Sequence, residues 1–295
     1  MLLKNKSDVV KLRNIQTGKN KIKHKEPLGS LKSITINPTE LCNRKCFFCP
    51  RVDEEVYPNQ NLHISFETVE KISKEIKSIN YMDRVGWSGN GEPLLTKDFF
   101  QKVKILADEN PQLSVHEIVT NGDRIKNQKD IDKIYNSGIN HIIVSLYDGE
   151  EQLERFIKLF KNYDKSMYTF KISFEDDLDL KNFTNRGGTV DINTDLVSLN
   201  NKNKCFFPFY KLILDWNGDV LICCEDWFRL SKSKLNINTH TLKEIWESDV
   251  FNSYRKKLSV GDRSLKPCDR CSINGELIGK ESFDLVSQYY GWTDK

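Results

Sequence analysis

The 295-residue chain has no apolar run approaching the ~18 to 20 residues that a membrane span needs. Its first residues, MLLKNKSDVVKLRN, lack the apolar stretch of a secretory signal. Membrane insertion and export are therefore not expected, and a cytoplasmic location is. In that reducing compartment eight cysteines are poor material for structural disulfides and better material for metal ligands or reactive thiols. The middle of the chain has no cysteine at all: Cys42, Cys46 and Cys49 lie near the front, and Cys205, Cys223, Cys224, Cys268 and Cys271 in the last third. Acidic residues are scarce at the start, where nine Lys or Arg in residues 1–32 face only Asp8 and Glu26, giving about +7 against about −4 for the remainder. No aromatic residue is interleaved with these lysines. The segment thus reads as a solvated or loosely packed basic extension rather than a nucleic-acid arm.

What is present from Ser33 onward is a regular alternation. SITIN (33–37), DRVGWSG (83–89), SVHEIVT (114–120), HIIVSL (141–146) and TFKISF (169–174) are short β-type runs. Helical patterns separate them over about 65–78, 97–109, 127–136 and 150–161. Strands alternating with helices of this length predict βαβ units and a parallel sheet, open or closed into a barrel, with functional residues at the C-terminal strand ends. After about Asn185 the rhythm changes. KLILDW and DVLICC flank Asn217-Gly218 and predict a β-hairpin, TLKEIWESDVFNSYRKKL predicts a helix, and KPCDRC leads into a cysteine-free tail. The chain divides into an extension (1–32), a core (33–185) and a smaller module with the tail (186–295).

Cys42-x3-Cys46-x2-Cys49 directly follows the strand SITIN. Three thiolates at this spacing hold one corner of a 4Fe-4S cluster and leave one iron open, whereas a structural zinc site is closed by four Cys or His ligands. The nearest histidine, His63, lies well beyond the loop. With Phe48 just before the last cysteine, and with Gly91-Glu92-Pro93 after the second strand, residues 33–175 resemble the radical S-adenosylmethionine (SAM) superfamily. That resemblance implies a partial (β/α)6 TIM-type barrel. It also implies that the open iron chelates SAM, that Gly91, Glu92 and Pro93 hold the SAM amino group, and that Phe48, Asn121 and Ser145 are SAM contacts.

Cys205, Cys223, Cys268 and Cys271 resemble the ligands of the shortened "twitch" form of the SPASM module, a small α+β unit carrying one auxiliary 4Fe-4S cluster. Asn185-Arg186-Gly187-Gly188 ahead of it extends the similarity to radical SAM aminocyclitol dehydrogenases. The resemblance implies hydrogen abstraction from the carbinol carbon of a sugar or aminocyclitol, with the auxiliary cluster as electron acceptor and an external donor such as flavodoxin or ferredoxin. Arg186 would orient the hydroxyl, an arginine being a poor base, and Cys224 and Glu225 would face the substrate. Whether Cys223 or Cys224 is the ligand stays open. Cys224 also suggests an epimerase, in which a thiol returns hydrogen to the opposite face. A peptide-modifying maturase and a non-enzymatic zinc-ribbon protein are the remaining alternatives.

Overall fold

Leu2 and Leu3 form a short strand, β1 (Leu2–Leu3), followed by the helix α1 (Lys6–Gly18). The computed structural model describes residues 1–18, 25–174, 183–200, 202–231 and 233–292. The start of the chain is not a solvated extension. Leu3 and Leu12 are buried, packing with Ile143. Arg13 and Gln16 reach Glu117 at 2.7 and 2.8 Å. Apolar burial and a buried carboxylate together outweigh the positive charge that made the segment read as tail. Lys19, Lys21 and Lys23 lie outside the described residues.

The expected alternation follows as β2 (Ser33–Ile36), α2 (Phe66–Ser78), β3 (Arg84–Trp87), α3 (Phe99–Glu109), β4 (Val115–Thr120), α4 (Gln128–Asn136), β5 (His141–Leu146), α5 (Gly149–Phe160) and β6 (Tyr168–Ile172). Local chemistry sets several boundaries. The Ser65 hydroxyl caps α2 by accepting the Thr68 N–H at 3.1 Å, and Asn127 with Asp130 forms a capping box on α4. Ile34, Ile36, Val85, Trp87, Ile118 and Val144 are fully buried, as expected of a parallel sheet covered by helices.

The remaining elements are α6 (Asp195–Asn200), α7 (Phe207–Tyr210), β7 (Lys211–Leu214), β8 (Val220–Leu221), α8 (Leu242–Trp246), α9 (Asp249–Ser259) and α10 (Lys280–Tyr290). The sheet runs β1-β6-β5-β4-β3-β2-β7-β8, parallel except for the last pair. The run over 33–174 thus supplies five strands. Parallel strands from outside it are added at each side, β1 on β6 and β7 on β2. The hairpin turns at Gly218, whose φ of +87° and whose approach to Asn238 exclude a side chain. The C-terminal module is therefore continuous with the core sheet. Two expectations are revised here. The helix over TLKEIWESDVFNSYRKKL is broken in two because Ser248 caps a new helix start, accepting the Phe251 N–H at 3.3 Å. The tail contains α10, whose Phe283 ring packs 4.4 Å from Phe206 and whose Ser282 hydroxyl donates to Ser30 O at 2.8 Å.

Candidate active site and its two cysteine sets

Parallel strands place their C-terminal ends on one side of the sheet, so the loops after β2, β3, β4 and β5 converge there. A cavity of about 270 Å³ opens at this end. Cys42, Cys46, Cys49 and Phe48 line it from the loop after β2, Gly91 and Glu92 from the loop after β3, and Asn121 and Ser145 from the ends of β4 and β5. Pro93 does not line it; it begins a 3-10 turn over Pro93–Leu95. Arg186 and Cys224 enter from the module.

The cysteine loop is held from several directions. Asn59 accepts the Cys42 N–H and donates to the Cys42 carbonyl, both at 2.9 Å. Arg44 bridges Asp123 and Asp148 with bonds of 2.6–2.7 Å, tying the loop to the ends of β4 and β5. Arg51 donates to Glu40 at 2.8 Å and to the Asn90 carbonyl at 2.5 Å. Glu40 in turn meets Arg229 of the module. Phe48 stacks on Phe183 with ring centroids 4.5 Å apart. Burial pushes the Cys42 and Cys49 thiols above their usual range, so metal binding there would release protons. His63 is engaged elsewhere, with Thr39 at 2.9 Å and Asn61 at 2.7 Å, so the cavity is faced by the three loop thiols and by Cys224 of the module.

The loop after β3 lies against the cysteine loop: Glu92 N–H donates to Leu41 O at 2.9 Å, and a Cβ at Gly91 would come within 2.3 Å of Thr39 O. Only glycine permits that approach. The buried Glu92 carboxylate accepts the Thr120 hydroxyl at 2.6 Å and the Asn121 N–H at 2.8 Å. Burial pushes its pKa up to about 7 despite these bonds. An ammonium group in the cavity would favour its carboxylate form and could donate to it. The Asn121 side chain donates to Asn43 at 2.9 Å, bracing the loop from the far side.

Cys205, Cys223, Cys268 and Cys271 line a second, smaller cavity, otherwise walled largely by apolar residues such as Ile222, Leu258 and Ile273. Burial pushes Cys268 up to about 12 and raises Cys205. A Cβ at Gly275 would fall 2.3 Å from the Cys205 sulfur, so the backbone closes over this thiol. Cys223 and Cys224, adjacent in sequence, open on different cavities. Glu225 lines the second cavity rather than the first, accepting the Thr184 hydroxyl at 2.6 Å and lying 3.9 Å from the Arg186 guanidinium. Arg186 starts a turn of three positive φ values, +50° and then +65° and +87° at Gly187 and Gly188, and a Cβ at Gly187 would meet Glu225 O at 2.3 Å. The Arg186 Nε is buried without a partner among the described residues.

Residues 36–190 match the radical SAM superfamily, more than half of the chain. The chain belongs to that superfamily. Residues 205–272 match an iron–sulfur cluster-binding domain, the SPASM domain. The SAM-dependent 2-deoxy-scyllo-inosamine dehydrogenase of Niallia circulans is 28% identical over 264 residues, covering 88% of this chain and 99% of that protein. A crystal structure of BtrN in complex with AdoMet and 2-DOIA superposes with a TM-score of 0.70 at 24% identity, over 85% of this chain and 96% of the other. A probable GTP 3′,8-cyclase of Methanocaldococcus jannaschii matches over 46% of this chain and 43% of its own length, at 27% identity. The cofactors of this radical SAM protein are accordingly SAM and a 4Fe-4S cluster, with an auxiliary iron–sulfur cluster in the module. Both cysteine sets fit such groups by donor chemistry, the three loop thiols lining the larger cavity and four module thiols the smaller one. Among the described residues no helix is long and apolar enough to cross a membrane.

Two lysines in the first cavity were not singled out from sequence: Lys171 on β6 and Lys211 on β7. A signal for the first was present, since in TFKISF the polar Thr169, Lys171 and Ser173 alternate with Phe170, Ile172 and Phe174. The Lys211 side chain had no such pattern to mark it.

Proposed function

We propose that this radical SAM protein oxidises a secondary carbinol of a sugar or aminocyclitol to a ketone. Cys42, Cys46 and Cys49 hold the first cluster, Glu92 with the Gly91 backbone receives the SAM amino group, and Asn121, Ser145 and Phe48 shape the rest of the SAM site. Cys205, Cys223, Cys268 and Cys271 hold the auxiliary cluster. When bound, the first pair of cofactors supplies a 5′-deoxyadenosyl radical that takes one hydrogen atom, and the auxiliary cluster supplies an acceptor for one electron. The chain itself must hold the carbinol, orient its hydroxyl and take the hydroxyl proton. Arg186, with an unpartnered Nε beside the cavity, is suited to the second task. An external one-electron donor such as flavodoxin or ferredoxin starts each turnover.

The observation that carries this reading is the pair Cys223–Cys224, which sets a four-thiol cavity one residue away from the substrate side. An electron acceptor at that place suits oxidation. The near end-to-end similarity to a dehydrogenase supports the same outcome. The test is anaerobic turnover with SAM, a reductant and carbinol-deuterated sugars and cyclitols, 2-deoxy-scyllo-inosamine among them. Ketone and deuterated 5′-deoxyadenosine in equal amounts are expected; SAM cleavage with no ketone from any of them would sink the proposal. Cys224 in the first cavity favours one second reading, epimerisation with this thiol as hydrogen donor. Solvent deuterium incorporated at the carbinol carbon, and lost in Cys224→Ala, would replace the first reading with the second.

A further inference from the structure

Removing two electrons from a carbinol also requires a base for the hydroxyl proton, and Arg186 is unsuited to that role. Lys171 stands at the wall between two cavities. On one side is the first cavity, shared with Cys42, Glu92, Arg186 and Cys224. On the other is a separate cavity of about 380 Å³, lined by Lys4 and Asn5 of the N-terminal segment, Glu150 of α5 and Ser173. In the sheet Lys171 is in register with Leu3 of β1 on one side and Ser145 of β5 on the other. It has no carboxylate partner among the described residues.

We propose that Lys171 is the base that takes the hydroxyl proton of the carbinol and releases it to the outer cavity beside β1. This role rests on the dehydrogenase reading. The step balances: the hydroxyl O–H bond breaks, a proton passes to Lys171 Nζ, the C=O bond forms, and the hydrogen atom and the electron leave to the acceptors already named. The cations around Lys171 favour a free amine, and the carboxylates Glu150 of the outer cavity and Glu92 of the first oppose them. Arg186 and Lys211 share its first cavity, Lys4, Lys6 and Glu150 line the outer one, and Arg13 approaches from α1. Burial first, then Arg186 and Arg13, lower its pKa to about 8. The base form is therefore lost as pH falls through about 8, and the rate of ketone formation falls with it.

The test begins without substrate. Competitive acylation of the wild-type holoenzyme across pH, read by mass spectrometry, should give Lys171 an apparent pKa near 8; an ordinary value of about 10.4 would overturn the role. Lys171→Met and Lys171→Arg should each keep both clusters and bind SAM normally, yet form ketone about 10²-fold more slowly and without the wild-type pH limb. A charge role would be rescued by arginine, so wild-type turnover in Lys171→Arg overturns the base assignment. A raised KM with unchanged kcat in Lys171→Met also overturns it. If the wild type makes no ketone from any carbinol, the dehydrogenase reading falls and this role with it. If the wild type makes ketone and Lys171→Arg keeps pace, only the role falls.

Discussion

The two cysteine sets solve opposite problems. Cys42, Cys46 and Cys49 come from one short loop after β2, and charged and polar side chains fix that loop from outside: Asn59, Arg44 with Asp123 and Asp148, and Arg51 with Glu40. The four module cysteines come from three separated segments and are gathered by the fold into a largely apolar enclosure. An open site must admit ligands, so its geometry is held by hydrogen bonds that tolerate water. The module site is walled mainly by apolar side chains, and its backbone is held by Arg263, which donates to Asn203 O and Ile273 O at 2.9 Å, and by Asn185, which donates to Arg270 O at 2.6 Å. One site is a property of a single loop, the other of separated segments brought together by the fold.

The largest effect expected from this difference follows removal of the loop thiols. Anaerobically reconstituted wild type should carry about eight iron per chain. Cys42→Ala, Cys46→Ala and Cys49→Ala together should bring it to about four, with SAM cleavage abolished and the module's optical spectrum retained. SAM cleavage in the triple variant would break the assignment of an open and a closed site. Next in size is the contrast between neighbours. Cys223→Ala should lose about four iron and ketone formation while still cleaving SAM, whereas Cys224→Ala should keep about eight. Equal iron loss in both would mean that the two adjacent thiols do not divide between the cavities.

The same difference explains what was legible in the sequence. A loop site is written in consecutive residues, so Cys42 to Cys49 could be found by spacing and by their place after a strand, and Gly91-Glu92 by the family resemblance beside them. The four module cysteines could be grouped by similarity, but the choice between Cys223 and Cys224 needed the direction of two side chains after β8, which periodicity over a two-residue strand cannot supply. The strand-helix alternation was legible because each element has its own period. The join of β7 to β2 was not, since pairing between residues 33–36 and 211–214 is a long-range packing outcome. Leu3 and Leu12 were hidden by the lysines around them, because composition averages over a segment while burial is decided residue by residue. Lys171 shows the reverse case: its strand alternation was on the page, but a lone lysine in a strand gives no hint of a cavity until the neighbouring strands are placed.

The smallest effect expected on iron content and SAM cleavage tests whether the two sites are separate structures at all, because one side chain joins them. Arg229 of the module, held at a φ of +54°, donates to Asp215 at 2.7 Å and to the Tyr57 hydroxyl at 2.8 Å, and it also meets Glu40, which holds Arg51 behind the cysteine loop. Arg229→Met removes this link, leaving Glu40 paired with Arg51 but taking from Asp215 its ion-pair partner and the bond to Oδ2. Asp215 keeps the Asn37 amide at 2.6 Å and the Trp216 N–H at 3.0 Å, while Glu40 keeps Arg51 and Asn37. Breaking a fully buried pair costs about 3–5 kcal/mol through the charge left behind. Asp215 is fully buried and loses its counter-charge, while the Arg229 side chain is 33% exposed, so the cost should lie at the low end of that range, about 3 kcal/mol. In a chain of this size that lowers the holoenzyme melting temperature by about 6–12 °C. Iron should stay at about eight per chain, and SAM cleavage should persist. Loss of iron from both sites on this one substitution would show that loop and module form a single cooperative unit, and the contrast between a site held by its loop and a site brought together by the fold would no longer stand.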